Sequence, residues 1–217
     1  MTSCGRFDLL AVTLATFVRF NTYPNCRKII IVDDSGLPNA GDEVRGIVGS
    51  YRDRVEATIL VNQENIGQAA SIDRAYAYVD TDYVFHMEDD WEFYDTGFIE
   101  ISMSILRDYP WIVTTWLRSH ADTMGHPIEY LRDLPFPLLT LGYLHSWHGS
   151  TWNPGLRRLR DYMAIGSFSH SAPSELLASQ LYLRRGFRAA IAPMQGGYIR
   201  HIGWERSTSD PDRIIKS

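Results

Sequence analysis

Three consecutive carboxylates, Glu88, Asp89 and Asp90, stand between the apolar run Tyr83-Val84-Phe85 and the aromatic Trp91. Adjacent acids repel one another, so keeping them together at the end of a buried strand requires a cation or hydrogen bonds. A hard divalent ion such as Mg²⁺ or Mn²⁺ would take one or two of these carboxylates, with diphosphate oxygens and water completing its shell. An acidic run in a loop ordinarily just faces water. This one closes an apolar strand, and open α/β sheets bind ligands beyond the carboxyl ends of their strands.

The elements that must position these acids alternate through the first half of the chain. Leu9, Leu10, Leu14, Phe17 and Val18 recur at helical spacing, and "KIIIVDD" (28–34) follows as a buried strand ending in acid. Residues 42–52 form a weaker helix candidate, and "ATILVN" (57–62) a second buried strand. "QAASIDRAYAYV" (68–79) carries Ala69, Ile72, Tyr76 and Val79 on one helical face. "DYVFHMEDD" (82–90) is the next strand, "TGFIEISMSILRDYP" (96–110) a helix closed by Pro110, and "WIVTTWL" (111–117) another strand. Strands apolar along their length, separated by amphipathic helices, imply a mostly parallel sheet covered on both faces. After Arg118 prolines interrupt the pattern, and "LRRLRDYM" (156–163) and "SELLASQLYLRRGF" (174–187) read as the only clear later helices. The second half is therefore expected to decorate the sheet, with a ligand cleft where the strand ends meet its loops.

Composition narrows the function classes. The 217 residues, 45% hydrophobic and 22% charged, fit one compact domain. A net charge of -5 offers no basic surface to replace phosphate counterions, which argues against nucleic-acid binding. Cys4 and Cys26 make neither a disulfide framework nor a zinc set. No apolar run approaches the ~20 residues of a membrane span, and no charged-then-apolar leader is visible, so a soluble cytoplasmic chain is expected.

Taken together, these residues resemble the family 2 type glycosyltransferases with the nucleotide-diphospho-sugar transferase (GT-A) fold. The resemblance covers nearly the whole chain and rests on "TSCGR" (2–6), "IIIVDDSG" (29–36), "ENIGQAASIDRAY" (64–76) and "MEDDWEF" (87–93), in that order. It implies an α/β, Rossmann-like GT-A domain spanning 1–217, with a nucleotide-sugar-binding half at 1–118 and an irregular acceptor-side half at 119–217. It also implies transfer of a hexosyl group from a nucleotide-sugar donor, a UDP-sugar by default, to a hydroxyl of a glycan or other acceptor. Inversion at the sugar and use of Mn²⁺ or Mg²⁺ come with the family, as does a role in polysaccharide biosynthesis.

Carried over by position, Thr2, Ser3 and Arg6 line the base and ribose, and Asp34, with Asp33 beside it, contacts the nucleoside. Locally, Asp34 is as well explained as a cap of the turn at Ser35-Gly36. Asn65 and Gly67 match the family's "N.G" turn, with Asp73 further along the same helix. Glu88 and Asp90 are the outer pair of a DxD-like motif around Asp89; Glu88 departs from the usual first Asp. Asp90 is the first choice of metal ligand, with Glu88 and His201 as further ligands and Arg206 as a diphosphate contact. Trp91 either covers the sugar or packs on the sheet.

An inverting transfer needs a base for the acceptor hydroxyl. The resemblance places Glu175 in this role, although Ser174-Glu175 stands where the family has two acids and is also ordinary helix-capping chemistry. Family members begin with an apolar first strand ahead of the "TSCGR" position; only Met1 stands there, so this strand is expected to be missing or very short, and further domains of a larger chain are expected. A nucleotidyltransferase would need a Gly-rich, basic first loop that "TSCGRFDLL" lacks. A catalytically silent domain that keeps nucleotide-sugar or glycan binding is the alternative reading.

Overall fold

The computed structural model describes residues 1–143 and 145–206. Its elements run β1 (Thr2–Ser3), α1 (Phe7–Phe20), β2 (Lys28–Asp33), α2 (Ala40–Gly49), β3 (Glu56–Val61), α3 (Gln68–Tyr76), β4 (Tyr83–His86), β5 (Trp91–Phe93), α4 (Phe98–Asp108) and β6 (Ile112–Trp116). They continue with β7 (Ile128–Glu129), β8 (Leu138–Leu139), β9 (Gly155–Arg158), α5 (Leu159–Ile165), α6 (Phe168–Ser171), α7 (Glu175–Arg184), β10 (Arg188–Ile191) and β11 (Ile199–His201), then a 3-10 turn at Trp204–Arg206.

The expected parallel sheet is present. β2 pairs in parallel with β3 along its whole length, and with β1 through Thr2↔Val32 and Ser3↔Asp33. Thr2 also bridges Glu88 in parallel, which places the end of β4 on the other side of β1. Beyond β4 lies antiparallel β9, in register from Tyr83↔Arg158 to His86↔Gly155. The Thr114 hydroxyl on β6 donates to the Leu156 carbonyl on β9 at 3.3 Å, and β6 pairs in parallel with β10. Antiparallel β8 and β7 follow β10 at that edge.

Helices cover both faces, because the strands are apolar on both. Leu10, Leu14 and Phe17 of α1, Val44 and Val48 of α2, and Phe98, Ile99, Ile105 and Leu106 of α4 pack into one cluster. Ala69, Ile72, Ala75 and Tyr76 of α3 join Ile165, Phe168, Ala178 and Tyr182 of α5, α6 and α7 in the other. Among the described residues no helix is long and apolar enough to cross a membrane.

Two expectations change. Residues 156–163 are not one helix: Gly155–Arg158 is a strand between β4 and β6, and the helix begins at Leu159. Strand pairing overrides the local pattern here, and Arg158 locks the strand by donating to Asp161 and to the carbonyls of Leu106 and Pro110. The later half also does more than decorate the sheet, since β9 and β10 sit within it. The first strand is very short, as expected. Alongside it, between β2 and β4, a cleft of about 960 Å³ is lined by Ile29, Ile30, Phe85, Met87 and Ile99 among others. Its lining reaches Met87 but includes none of Asp33, Asp34, Glu88, Asp89 and Asp90.

Candidate active site

The carboxyl ends of β1, β2 and β4 meet at one place, because β1 is held between the other two. Asp33 is fully buried and accepts from the amide of Gly5 (3.1 Å) and from the amide of Ser35 (3.0 Å). Asp34 accepts from the amides of Ile66 (2.8 Å) and Gly67 (2.9 Å) and from Asn62 Nδ2 (2.7 Å). Both carboxylates thus fasten the loops at these strand ends; it is Asp33 that caps the turn at Ser35, whereas Asp34 reaches across to the turn before α3. Gly67 has φ +89°, in the region that favours glycine, as it turns into α3. Asn65 Oδ1 accepts from the Gly67 amide at 3.1 Å, and its Nδ2 reaches Cys4 Sγ at 3.5 Å. Asp73 takes another direction: it accepts from Tyr162 Oη (2.7 Å) and from the amides of Phe168 and Ser169 (2.8 Å each), tying α3 to α6.

The three consecutive acids diverge to separate hydrogen-bond partners, yet each neighbour's charge still acts on the next. Glu88 receives Gln68 Nε2 on one oxygen and Trp91 Nε1 (3.2 Å) on the other. Burial, the Asp90 charge and the Glu175 charge hold its pKa well above the usual carboxylate range. Asp89 is fully buried and accepts from the Cys4 amide (3.3 Å) and from Arg6. Burial pushes it up to about 6 in spite of Arg6. Asp90 Oδ2 receives both Arg6 Nη1 (2.8 Å) and His201 Nε2 (3.1 Å); these partners outweigh burial and lower its pKa. Arg6 is therefore the resident cation of the cluster. Arg206, by contrast, pairs with Asp8 through its side chain, while its carbonyl accepts from Arg6 Nη1 at 3.3 Å.

A divalent ion fits this donor set in part. Asp90 Oδ1 is buried with no hydrogen-bond partner, as is His201 Nδ1. Among the described residues no three His, Cys, Asp or Glu side chains gather in metal-holding geometry. Asp90 and His201 are joined through Oδ2 and Nε2, a bond an ion shared by the two would replace, whereas both oxygens of Glu88 are engaged elsewhere. One or two protein ligands suit Mg²⁺ or Mn²⁺ when diphosphate oxygens and water complete the shell.

Glu175 opens α7. Ser174 is the cap, accepting from the Leu177 amide at 3.3 Å, and so leaves the Glu175 carboxylate free of the helix end. That carboxylate instead accepts from the Trp152 amide and acts electrostatically on Glu88. Burial raises its pKa, against the Trp152 amide and the charges of Arg157 and Arg118. A basic carboxylate thus faces the acidic strand end.

Trp91 takes the packed one of its two sequence readings, and Gly203 has no forewarning in the sequence. Trp91 is 1% exposed, with Arg118 5.1 Å above its ring and His201 packed against it at 4.9 Å, so it packs in the interior. Gly203 presses against Asp90: a Cβ there would stand 2.5 Å from Asp90 Oδ2. A lone glycine two residues after a histidine carries no local signal of this contact.

No protein-family model matches the sequence, and no curated protein is detectably similar to it. Solved structures are similar. The S. aureus TarS 1–349 structure superposes with a TM-score of 0.65 at 15% identity, covering 94% of this chain and 60% of that one. The mannosyltransferase PcManGT from Pyrobaculum calidifontis, in complex with GDP-Man and Mn²⁺, superposes with a TM-score of 0.66 at 13% identity, covering 89% and 55%. TarS 1–349 in complex with UDP-GlcNAc gives 0.61 at 12% identity, covering 99% and 62%. This chain therefore spans about 60% of the length of the structures it resembles, and it has the GT-A fold they share.

Proposed function

We propose that this chain is a family 2 type glycosyltransferase domain that transfers a hexosyl group from a UDP-sugar to a hydroxyl of a glycan acceptor, with inversion, in the cytoplasm. The observation that carries the reading is the pairing of Asp90 and His201 at the strand ends with Glu175 across from them. Its fold-mates support the donor class: one holds GDP-Man and Mn²⁺, another UDP-GlcNAc. Residues 1–118 supply the donor side and 119–217 the acceptor side. In this reading Thr2, Ser3, Asn65 and Gly67 contact the nucleoside beside the loops that Asp33 and Asp34 fasten.

In the mechanism, Glu175 accepts the proton of the acceptor hydroxyl as its oxygen bonds to the anomeric carbon. The bond from that carbon to the diphosphate breaks, and its electron pair leaves with the nucleoside diphosphate. Arg6, held by Asp89 and Asp90, would add positive charge beside the leaving diphosphate. Asp90 and His201 would hold a divalent ion, which when bound supplies Lewis-acid stabilisation of the diphosphate. Trp91 and Gly203 keep Asp90 and His201 in place.

Equilibrium binding of a panel of UDP-, GDP- and dTDP-sugars, with and without Mn²⁺, tests the donor assignment. Metal-dependent binding of a UDP-sugar that weakens in Asp90→Asn is expected. Binding without turnover would favour a silent binding module, and absence of binding to the whole panel would remove the donor site.

A further inference from the structure

Arg157 and Arg158 are neighbours on β9, each 3% exposed, yet their surroundings are opposite. Successive strand residues point to opposite faces. Arg158 faces α4 and is saturated by Asp161 at 2.7 Å and by backbone carbonyls. Arg157 lies on the other face, where Tyr76, His86 and Tyr182 feel its charge. It donates only from Nη2, to the Thr151 carbonyl; Nε and Nη1 are buried without partners. Among the described residues, none forms an ion pair with it. A guanidinium withdrawn from water with a single hydrogen bond is costly.

Its one bond leads to the site. The Thr151 carbonyl that Arg157 holds immediately precedes Trp152, whose amide donates to Glu175. Trp152 is also bonded through its backbone to His86, and its ring, 5% exposed, packs on Phe168 at 5.9 Å. The turn that carries the Glu175 contact is thus clamped from β4, β9 and α6. The charged groups around Glu175 are Arg157 from β9, Arg118 after β6, and Glu88 at the end of β4.

We propose that Arg157 is a positioning residue for Glu175: it pins the Thr151–Trp152 turn onto the carboxylate and supplies the buried positive charge that this carboxylate faces. The inference rests on Glu175 being the base. Burial favours the protonated acid, which cannot take a proton; the Trp152 amide, Arg157 and Arg118 oppose it. Removing the Arg157 charge raises the pKa of the base, so activity is lost at low pH and recovered as pH rises.

Glu175→Gln comes first in the test. It must abolish transfer while donor binding persists; full transfer by this variant overturns the base assignment and this inference with it. Given that loss, pH profiles of kcat/KM for the acceptor are compared in wild type, Arg157→Gln and Arg157→Lys. In Arg157→Gln the acidic limb is expected to move up by about one unit, a roughly tenfold loss below the limb, with donor KM within about twofold. Arg157→Lys is expected to shift it less. An unmoved limb in folded Arg157→Gln, or an even loss at every pH, overturns the proposal and leaves a merely structural arginine. Where Arg157→Gln does not fold, Arg157→Lys decides. Its shorter reach withdraws the charge from Glu175, so a shift of a few tenths is expected, and a limb identical to wild type overturns the proposal.

Discussion

Replacing Gly203 by alanine adds one methyl group at the carboxylate proposed to hold the metal. That Cβ would meet Asp90 Oδ2 at 2.5 Å, Asp90 Cβ at 2.7 Å and Asp90 Cγ at 3.0 Å. Ordinary contact between such atoms begins at about 3.4 Å, so one of the two must retreat by roughly 0.9 Å. Asp90 is short and tied by its own carbonyl to the Ile202 amide at 2.9 Å, so the strain falls on its carboxylate and on the Gly203 backbone. Either movement loosens the bonds to Arg6 (2.8 Å) and His201 (3.1 Å). Overpacking of this kind costs about 1–3 kcal/mol of stability. A misplacement near 1 Å at a catalytic group costs on the order of a hundredfold in rate. We therefore expect Gly203→Ala to remain folded by circular dichroism, with a lowered Tm, and to lose about a hundredfold in nucleoside diphosphate release under saturating donor. Wild-type kinetics within a factor of two would show that Asp90 is not held by this contact and would refute the reasoning.

Further outcomes follow from contacts elsewhere. Thr13 Oγ1, fully buried, donates to the Asp89 carbonyl at 2.8 Å and accepts from the Trp91 amide at 3.0 Å; Thr13→Val should cost about 1–3 kcal/mol in urea denaturation by leaving both backbone groups unpaired. His126 is 3% exposed, both ring nitrogens lack partners, and burial, with the nearby His148 adding to it, lowers its pKa to about 4. Its unfolded form takes up a proton near pH 6.5 and its folded form only near 4, so its contribution is present above 6.5 and lost as pH falls through that window. It should account for about 2 kcal/mol of destabilisation between pH 7 and 5, absent in His126→Phe when denaturation midpoints are compared. Asp73→Ala should lower Tm by detaching α6 from α3 while leaving the affinity for the donor nucleotide within about twofold, as isothermal titration will show.

How much of this was legible depends on the range over which each signal acts. β2 and α1 declare themselves locally, as an unbroken apolar run and as a helical stripe, and both stand within a residue or two of where the pattern puts them. β9 does not: Leu156-Arg157-Arg158 reads as helix, and only the opening between β4 and β6 makes it a strand. β5 and β11 depend on each other across more than a hundred residues, with His201 opposite Trp91. Within the site, the acids at the ends of β2 and β4 were visible because charge seldom closes an apolar run. What they bind was not, since the divergence of Glu88, Asp89 and Asp90 is decided by Gln68, Arg6 and His201, each brought from a distant segment. Gly203 and Arg157 were invisible for the same reason.

The central claim is metal-assisted transfer with Asp90 on the donor side and Glu175 on the acceptor side. Its most direct measurement is nucleoside diphosphate release and glycan product formation from a UDP-sugar with Mn²⁺, with and without chelator, in wild type, Asp90→Asn and Glu175→Gln. The account predicts chelator-sensitive transfer in wild type, weakened donor use in Asp90→Asn, and donor binding without transfer in Glu175→Gln. Transfer that survives chelator and both substitutions would contradict it.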